Sequence, residues 1–136
     1  MTSFGGTFVK SINPELLKKW YAKQLDFQID EFGTIFEWRN SRNPASRGFN
    51  AWSTFPNNAE YFSPSKKDFM LKFRVRNLET LLEEKLKEGA TELDEIEIFG
   101  FGKFAYIMDP DGNKVELWET NDEEYDEILG SAIMKS

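Results

Sequence analysis

Two short segments near the C-terminal end of the chain have the hydrophobic pattern of β-strands. The first, Phe104 to Met108, is rich in aromatic and branched residues, which suit a half-buried strand. In the second, Lys114 to Glu119, the aliphatic residues point to one face, and Glu116 and Trp118 point to the other. Between them, residues 109–113 read Asp-Pro-Asp-Gly-Asn, where almost every position favours a tight turn. The pattern predicts a β-hairpin in which the Glu116 carboxylate faces either solvent or a cleft.

Hydrophobic residues recur at helical spacing in two other segments, which begin at Asn13 and Asn77. Asparagine favours the N-cap of a helix, and Pro14 suits the first helical position because the N–H that it lacks would have no partner there. The second pattern stops at Gly89, a residue type that commonly ends a helix. The sequence therefore predicts two amphipathic helices whose N-caps are 64 residues apart.

Strand patterns surround both helices in the same order, so the sequence strand–helix–three strands occurs twice. In the first half we predict strands at Thr7–Ile12, Phe27–Asp30, Thr34–Arg39 and Phe49–Phe55. In the second half we predict strands at Phe69–Val75 and Thr91–Phe99, followed by the hairpin. The repeat predicts one domain over residues 1–136, with modules at about 5–55 and 68–119, a connector at 56–67 and a C-terminal helical tail at 120–136. From the residues alone, this is an α+β domain with a largely antiparallel sheet.

The connector and the tail have hydrophobic residues of their own. The apolar residues of the tail stand at helical spacing: Tyr125, Ile128, Leu129, Ala132 and Ile133. A helix with this stripe would either close one side of its own domain or dock on a partner subunit. In the connector, which is rich in Pro, Asn and Ser, we expect Tyr61 and Phe62 to anchor the loop.

Composition excludes several classes of function. The chain has no cysteine, which rules out disulfides and thiolate metal sites and favours a reducing, cytoplasmic compartment. It has no histidine either, which removes imidazole ligands and histidine bases. The net charge of −7 argues against nucleic acid as a partner, because nucleic acid needs a basic face. No apolar segment approaches the length of a membrane span and no signal peptide is evident, so we expect no membrane association.

The hairpin resembles a known family. The run Asp-Pro-Asp-Gly-Asn-x-x-Glu-Leu, Asp109 to Leu117, is similar to the closing hairpin of the vicinal oxygen chelate superfamily. That superfamily includes glyoxalase I, extradiol dioxygenases, fosfomycin-resistance enzymes and bleomycin-binding proteins. The longer run through Glu119 resembles a bacterial glyoxalase/bleomycin-resistance-like subgroup. The resemblance implies paired βαβββ modules, which form a curved, mixed and mostly antiparallel sheet around a cleft with the helices on its outer face. It also implies a homodimer.

The resemblance further implies where a metal would bind. Superfamily enzymes hold a divalent ion with side chains from the first and last strands of each half. Those positions match Glu116 and Met70 in the second half, and the 64-residue register gives Gly6 and Trp52 in the first. Neither glycine nor tryptophan can bind a hard divalent ion, and a thioether is unsuited to one. We therefore expect a copy of the fold with no metal and no cofactor.

Alternation along the strands predicts which side chains line the cleft. The predicted ligand-binding residues are Phe8, Lys10, Trp52, Met70, Lys72, Arg74, Phe104, Tyr106, Glu116 and Trp118. This aromatic lining with one carboxylate suits a planar or amphipathic small molecule, which is either aromatic or cationic. The same residues allow a structural interpretation. Glu116 would then pair with Lys72 or Arg74, and the two tryptophans would fill the space that a metal takes in relatives.

Three functions remain open at this point. The first is a metal-free small-molecule binding protein, as among the bleomycin-binding relatives. The second is a lyase, isomerase or dioxygenase-type enzyme, with Glu116 as the candidate catalytic base and Tyr106 or Lys72 as the acid. The third is a structural or regulatory dimer whose cleft is closed by its own side chains. The volume of the cleft separates the third hypothesis from the other two.

Overall fold

The computed structural model describes residues 3–30, 33–39, 41–45, 47–100, 102–120 and, for the backbone, 133–135. It contains two helices, α1 (Pro14–Leu25) and α2 (Leu78–Lys87), and a short 3-10 turn at Glu60–Phe62. The strands are β1 (Ser3–Ser11), β2 (Thr34–Arg39), β3 (Arg47–Pro56), β4 (Phe69–Arg74), β5 (Thr91–Phe99), β6 (Gly102–Met108), β7 (Lys114–Thr120) and β8 (Ile133–Lys135). No helix of the described residues is long and apolar enough to cross a membrane.

All of these strands belong to one mixed sheet, in the order β5-β6-β7-β4-β1-β3-β2-β8. The two halves join where β1 and β4 pair in an antiparallel manner at the centre of the sheet. Each central strand is flanked by a parallel partner, β3 beside β1 and β7 beside β4, and each partner continues into an antiparallel neighbour. The predicted α+β architecture of two related halves is therefore confirmed.

The first half departs from the predicted order. Phe27 to Asp30 forms no strand beyond an isolated bridge between Asp30 and Gly33, so the described residues of this half include two strands after the helix. The Phe27 ring instead packs against the Tyr21 and Trp52 rings, which holds this segment between α1 and β3. Strand β8 pairs in parallel with β2, at the edge where a third strand would lie.

The tail was predicted to be helical. Most of its apolar residues, Tyr125, Ile128, Leu129 and Ala132, lie outside the described residues. Ile133 lies within β8, so the predicted helix does not extend to this residue.

The two predicted helix caps have different outcomes. At α1 the Asn13 Oδ1 accepts a hydrogen bond from the backbone N–H of Leu16 (3.1 Å), as predicted. At α2 the Asn77 side chain makes no capping hydrogen bond, because this residue has a left-handed backbone with φ of 50°. The backbone N–H of Leu78 donates instead to Glu119 Oε1 on β7 (3.1 Å). The start of α2 is thus fixed by the neighbouring sheet.

The outer face of the sheet carries a hydrophobic core beneath α2. Leu78 and Leu82 of the helix pack on Ala105 and Leu117 of the sheet. On α1 the predicted apolar stripe is only partly covered, since Trp20 remains 52% exposed.

Side chains from both halves meet on the inner face. Ile35 and Phe49, on β2 and β3, form one buried cluster with Phe104 and Trp118, on β6 and β7. These strands are separated in the sheet by β1 and β4, so the cluster requires the sheet to curl around its inner face. Part of the predicted cleft is therefore filled by the protein's own side chains.

Candidate functional site

A buried ion pair lies at the centre of the inner face. Glu116 on β7 pairs in register with Lys72 on β4, so that both side chains leave neighbouring strands in the same direction. Lys72 Nζ lies 3.1 Å from Glu116 Oε2, and the two side chains are 5% and 1% exposed. The Lys72 ammonium also lies 4.4 Å from the centre of the Trp118 ring and 4.5 Å from that of Phe8. The positive charge is thus held by a carboxylate and two ring faces.

The second oxygen of Glu116 is bound by the connector. The hydroxyl of Tyr61, which lies in the 3-10 turn, donates a hydrogen bond to Glu116 Oε1. The Tyr61 and Tyr106 hydroxyl oxygens are 2.8 Å apart, and the Tyr106 hydroxyl donates to Glu97 Oε1 (2.8 Å). Each tyrosine thus gives its single hydroxyl proton to a carboxylate, and the two hydroxyl oxygens lie in contact between the buried Glu116 and the exposed Glu97 on the edge strand β5.

Both tyrosines remain neutral hydrogen-bond donors. Burial and, after it, the negative charge of Glu116 raise the pKa of Tyr61 far above its usual value. The same two causes, in the same order, raise the pKa of Tyr106. Ionisation of either phenol would place a second negative charge beside the Glu116 carboxylate, so this arrangement does not favour a phenolate.

Lys114 holds the connector over the inner face. Its Nζ, buried at the start of β7, donates to the backbone oxygens of Tyr61 (2.7 Å) and Ser63 (3.1 Å). The ammonium also lies 4.6 Å from the centre of the Tyr106 ring. A second tie joins the connector to the hairpin turn, where Ser65 Oγ donates to the Gly112 oxygen (2.7 Å). The position of the Tyr61 hydroxyl is therefore set by contacts that are distant from it in sequence.

A cavity of about 260 Å³ lies beside this network. Six of the predicted residues line it: Phe8, Lys72, Phe104, Tyr106, Glu116 and Trp118. Four further lining residues were not predicted: Phe55, Tyr61, Glu97 and Phe99. Glu97 and Phe99 are the exposed members of the lining, so the mouth of the cavity lies at β5. The cavity is mostly aromatic, with its buried charges already paired.

Trp52 was predicted to line the cleft, but it lies on the opposite face of the sheet. Its ring centre is 4.7 Å from that of Tyr21 on α1 and 5.3 Å from that of Phe27. The side chain therefore fills the space between the first helix and the sheet. The prediction that it lines the cleft is wrong.

The cause is a difference of one residue between the two halves. Lys72 pairs with Glu116, whereas Phe8, 64 residues before Lys72, pairs with Ser53. The first-half counterpart of Glu116 is therefore Ser53, and the register is 63 residues at this strand. Because side chains alternate along a strand, a one-residue error moved Trp52 to the wrong face.

Three other predicted residues lie away from the cavity. The Lys10 ammonium lies 5.0 Å above an aromatic ring of the connector. Met70 is 1% exposed and belongs to the packed interior. The Arg74 guanidinium is placed between the rings of Trp38 and Trp118, at 5.4 and 5.8 Å from their centres. None of the three is a lining residue.

The sequence held a signal for some of the residues that were missed. Alternation along the predicted strand Thr91–Phe99 places Glu97 and Phe99 on one face, opposite to Ile98. The corrected register places Phe55 on the same face as Ser53. Tyr61 had no such signal, because it lies in an irregular segment where periodicity gives no information.

The residues that the sequence resemblance places at metal positions do not fit a divalent ion. They are Gly6, Ser53, Met70 and Glu116, of which only Glu116 offers a charged oxygen. Gly6 has φ of 128°, and a Cβ there would overlap the Ala51 carbonyl oxygen, so no side chain can be accommodated. Across the described parts of the chain, no three His, Cys, Asp or Glu side chains group together as metal ligands. The positive charge beside Glu116, which a metal ion would otherwise supply, comes from the Lys72 ammonium.

Comparison with solved structures shows the fold. The structure is similar to methylmalonyl-CoA epimerase from Streptomyces coelicolor, in complex with 2-nitronate-propionyl-CoA (TM-score 0.65, 10% identity, 89% of this chain and 99% of that chain). It is also similar to methylmalonyl-CoA epimerase from Mycobacterium tuberculosis (TM-score 0.61, 15% identity, 91% of each chain). A third match is a glyoxalase/bleomycin resistance protein/dioxygenase superfamily member from Vibrio splendidus 12B01 (TM-score 0.50, 10% identity, 84% and 96%). No family model and no curated protein matches the sequence.

Proposed function

Because the chain has the vicinal oxygen chelate fold, we propose that it is a metal-free protein that binds a small aromatic molecule in the cavity beside Glu116. The observation that carries this proposal is the buried ion pair. Of the four metal positions, only Glu116 offers a charged oxygen, and Lys72 places an ammonium 3.1 Å from its Oε2. A divalent ion at this carboxylate would face a fixed positive charge within a few ångströms, where a low dielectric strengthens the repulsion.

The size of the cavity limits the ligand. An apolar cavity of about 150 Å³ can hold benzene, and the pockets of drug-sized ligands start at about 300 Å³. The volume here, about 260 Å³, therefore suits a molecule of one or two rings. The rings of Phe55, Phe99 and Phe104 provide apolar walls for such a molecule. The S. coelicolor epimerase holds a small-molecule ligand within the same fold, which supports a binding role in general terms.

The state of Glu116 favours binding over catalysis. A general base needs an oxygen within hydrogen-bond reach of the substrate proton. Here one oxygen accepts from Tyr61 and the other is paired with Lys72, so the carboxylate would have to leave one of these partners first. The same contacts make Glu116 a rigid polar wall, which is useful in a binding site.

We further propose that the protein is a cytoplasmic homodimer. Sedimentation velocity would measure the mass of the particle in solution and so test the dimer.

Titration with neutral one- and two-ring compounds, such as 2-phenylethanol and 2-naphthol, tests the binding function. Calorimetry gives the affinity, and partial quenching of the tryptophan fluorescence reports occupancy, because Trp118, one of the four tryptophans, lines the cavity. We expect saturable binding that is weakened several-fold by Phe99→Ala. Ile98→Ala is the matched control, because Ile98 is the neighbouring exposed residue and is not part of the lining. Absence of saturable binding across the panel would refute the proposed function.

Native mass spectrometry after incubation with Mn²⁺, Ni²⁺, Zn²⁺ and Fe²⁺ tests the metal-free state. We expect no stoichiometric adduct with the wild-type chain. One tightly held ion per chain, lost in Glu116→Gln, would contradict the proposal and return the metal-dependent reactions to consideration.

A further inference from the structure

The mouth of the aromatic cavity carries a fixed negative charge. Glu97 is exposed on β5, and its Oε1 accepts the hydrogen bond from the Tyr106 hydroxyl at 2.8 Å. This bond holds the carboxylate at the point where the cavity opens. Glu97 and Tyr106 also line a second, polar cavity of about 340 Å³, together with Tyr61. The Glu97 carboxylate therefore lines both the aromatic cavity and the polar cavity.

The charges of the two cavities differ. In the aromatic cavity Lys72 and Glu116 neutralise one another, which leaves Glu97 as the remaining charged group of the lining. In the polar cavity three carboxylates, those of Glu60, Asp94 and Glu97, accompany a single ammonium. That ammonium is Lys114, which lies 3.3 Å from Asp94 Oδ2. The electrostatic potential thus becomes more negative from the buried end of the aromatic cavity towards its mouth.

We propose that Glu97 is a specificity-determining residue and that the ligand is an arylalkylamine. Its ring would occupy the aromatic cavity, and its ammonium group would lie at Glu97, facing the polar cavity. The inference rests on the proposed function and adds the chemical class of the ligand and its orientation.

The buried end of the cavity fixes that orientation. The ring faces of Trp118 and Phe8, which would attract a cation, already hold the Lys72 ammonium. A second cation at this end would be repelled by Lys72 and would lose its hydration. The uncharged ring is therefore the part of the ligand that fits inside, and a short alkyl chain brings the ammonium to the mouth.

A pair of probes that differ in one group tests the inference. 2-Phenylethylamine and 2-phenylethanol share a ring and a chain, and at neutral pH the amine alone is charged. Because Glu97 is exposed, we expect the amine to bind about two- to fivefold more tightly than the alcohol, the range typical of a solvated ion pair. Glu97→Gln should remove this preference, since an amide still accepts the Tyr106 hydrogen bond but carries no charge. Glu92→Gln, an exposed acid on the same strand that lines neither cavity, should retain it.

The outcomes distinguish the two proposals. Equal affinity of the two probes for the wild-type protein would overturn the arylalkylamine inference while leaving an aromatic binding site in place. A preference for the amine that survives in Glu97→Gln would overturn the role of this residue. If neither probe binds, the inference fails, and if 2-naphthol does not bind either, the proposed function fails with it.

Discussion

The substitution Lys72→Met isolates the charge of the buried ion pair. Methionine keeps much of the length and apolar character of the lysine side chain, but it leaves Glu116 without a cation. Two unit charges separated by 3.1 Å attract one another by about 5 kcal/mol at an effective dielectric constant of about 20. Removal of one member of a buried pair typically destabilises a protein by about 3–5 kcal/mol, because the other charge stays buried. We therefore expect Lys72→Met to lose about 3–5 kcal/mol of the free energy of unfolding.

This loss is a large fraction of the total stability, since a domain of this size is stable by about 5–15 kcal/mol. Urea unfolding at neutral pH, followed by circular dichroism, measures it. The double variant Lys72→Met/Glu116→Gln removes both charges and should be more stable than the sum of the two single losses predicts, by about 1–3 kcal/mol. This coupling separates the loss of charge from the loss of packing.

Lys103→Met is the matched control. Lys103 lies 3.1 Å from Glu79, the same separation as in the buried pair, but both side chains are solvent-accessible. Water and salt screen such a pair, so we expect no measurable change in stability. A Lys72→Met variant that unfolds at the same urea concentration as Lys103→Met would refute the reasoning. So would single losses that simply add in the double variant.

Three further predictions concern other parts of the fold. Because the pKa of Tyr61 is raised in the folded state, the free energy of unfolding should fall as pH rises above 10, by up to about 1.4 kcal/mol per pH unit for each such tyrosine. Urea midpoints measured at pH 9–11 should therefore fall less steeply in Tyr61→Phe than in the wild-type protein. Gly6→Ala should lower the melting temperature far more than Gly89→Ala, because both glycines have positive φ but only the first would place a Cβ against backbone; equal losses would contradict this. Trp52→Phe should leave the affinity for 2-phenylethanol unchanged, as calorimetry would report, because Trp52 lies outside the cavity.

The parts of the fold that were predictable are those fixed by local contacts. The hairpin turn is one of them: Asp109 Oδ1 accepts hydrogen bonds from the backbone N–H groups of Asp111 (2.9 Å) and Asn113 (2.8 Å). The Asn113 side-chain amide also donates to Asp109 Oδ2 (2.7 Å), and this bond, followed by the backbone bonds, lowers the pKa of Asp109. All of these bonds require only residues of the same turn. The pairing of Glu116 with Lys72 was predictable as well, because alternation along the strands places both side chains on one face. The sequence left Lys72 and Arg74 as the two possible partners.

The parts that were missed depend on contacts distant in sequence. The α2 N-terminus is capped by Glu119 from another strand, although Asn77 stands at the expected position. Trp52 was assigned to the wrong face because the spacing of the strands differs by one residue between the two halves. The halves share the order of their elements but few identical residues, so the sequence does not reveal this difference. The role of Tyr61 depends on Lys114, 53 residues later, which holds the backbone of the connector. In each case tertiary packing decided between conformations that the local sequence allowed equally.

The buried pair of Lys72 and Glu116 also has a consequence for inheritance. A single mutation at either position leaves one charge buried without its partner, whereas loss of both charges need not be destabilising. A lineage that changes this site must therefore pass through a less stable intermediate, unless the two codons change together. Homologues of the protein are accordingly expected to keep both residues or to have replaced both. Chains with only one of the two charges should be rare, and they should carry a compensating charge nearby.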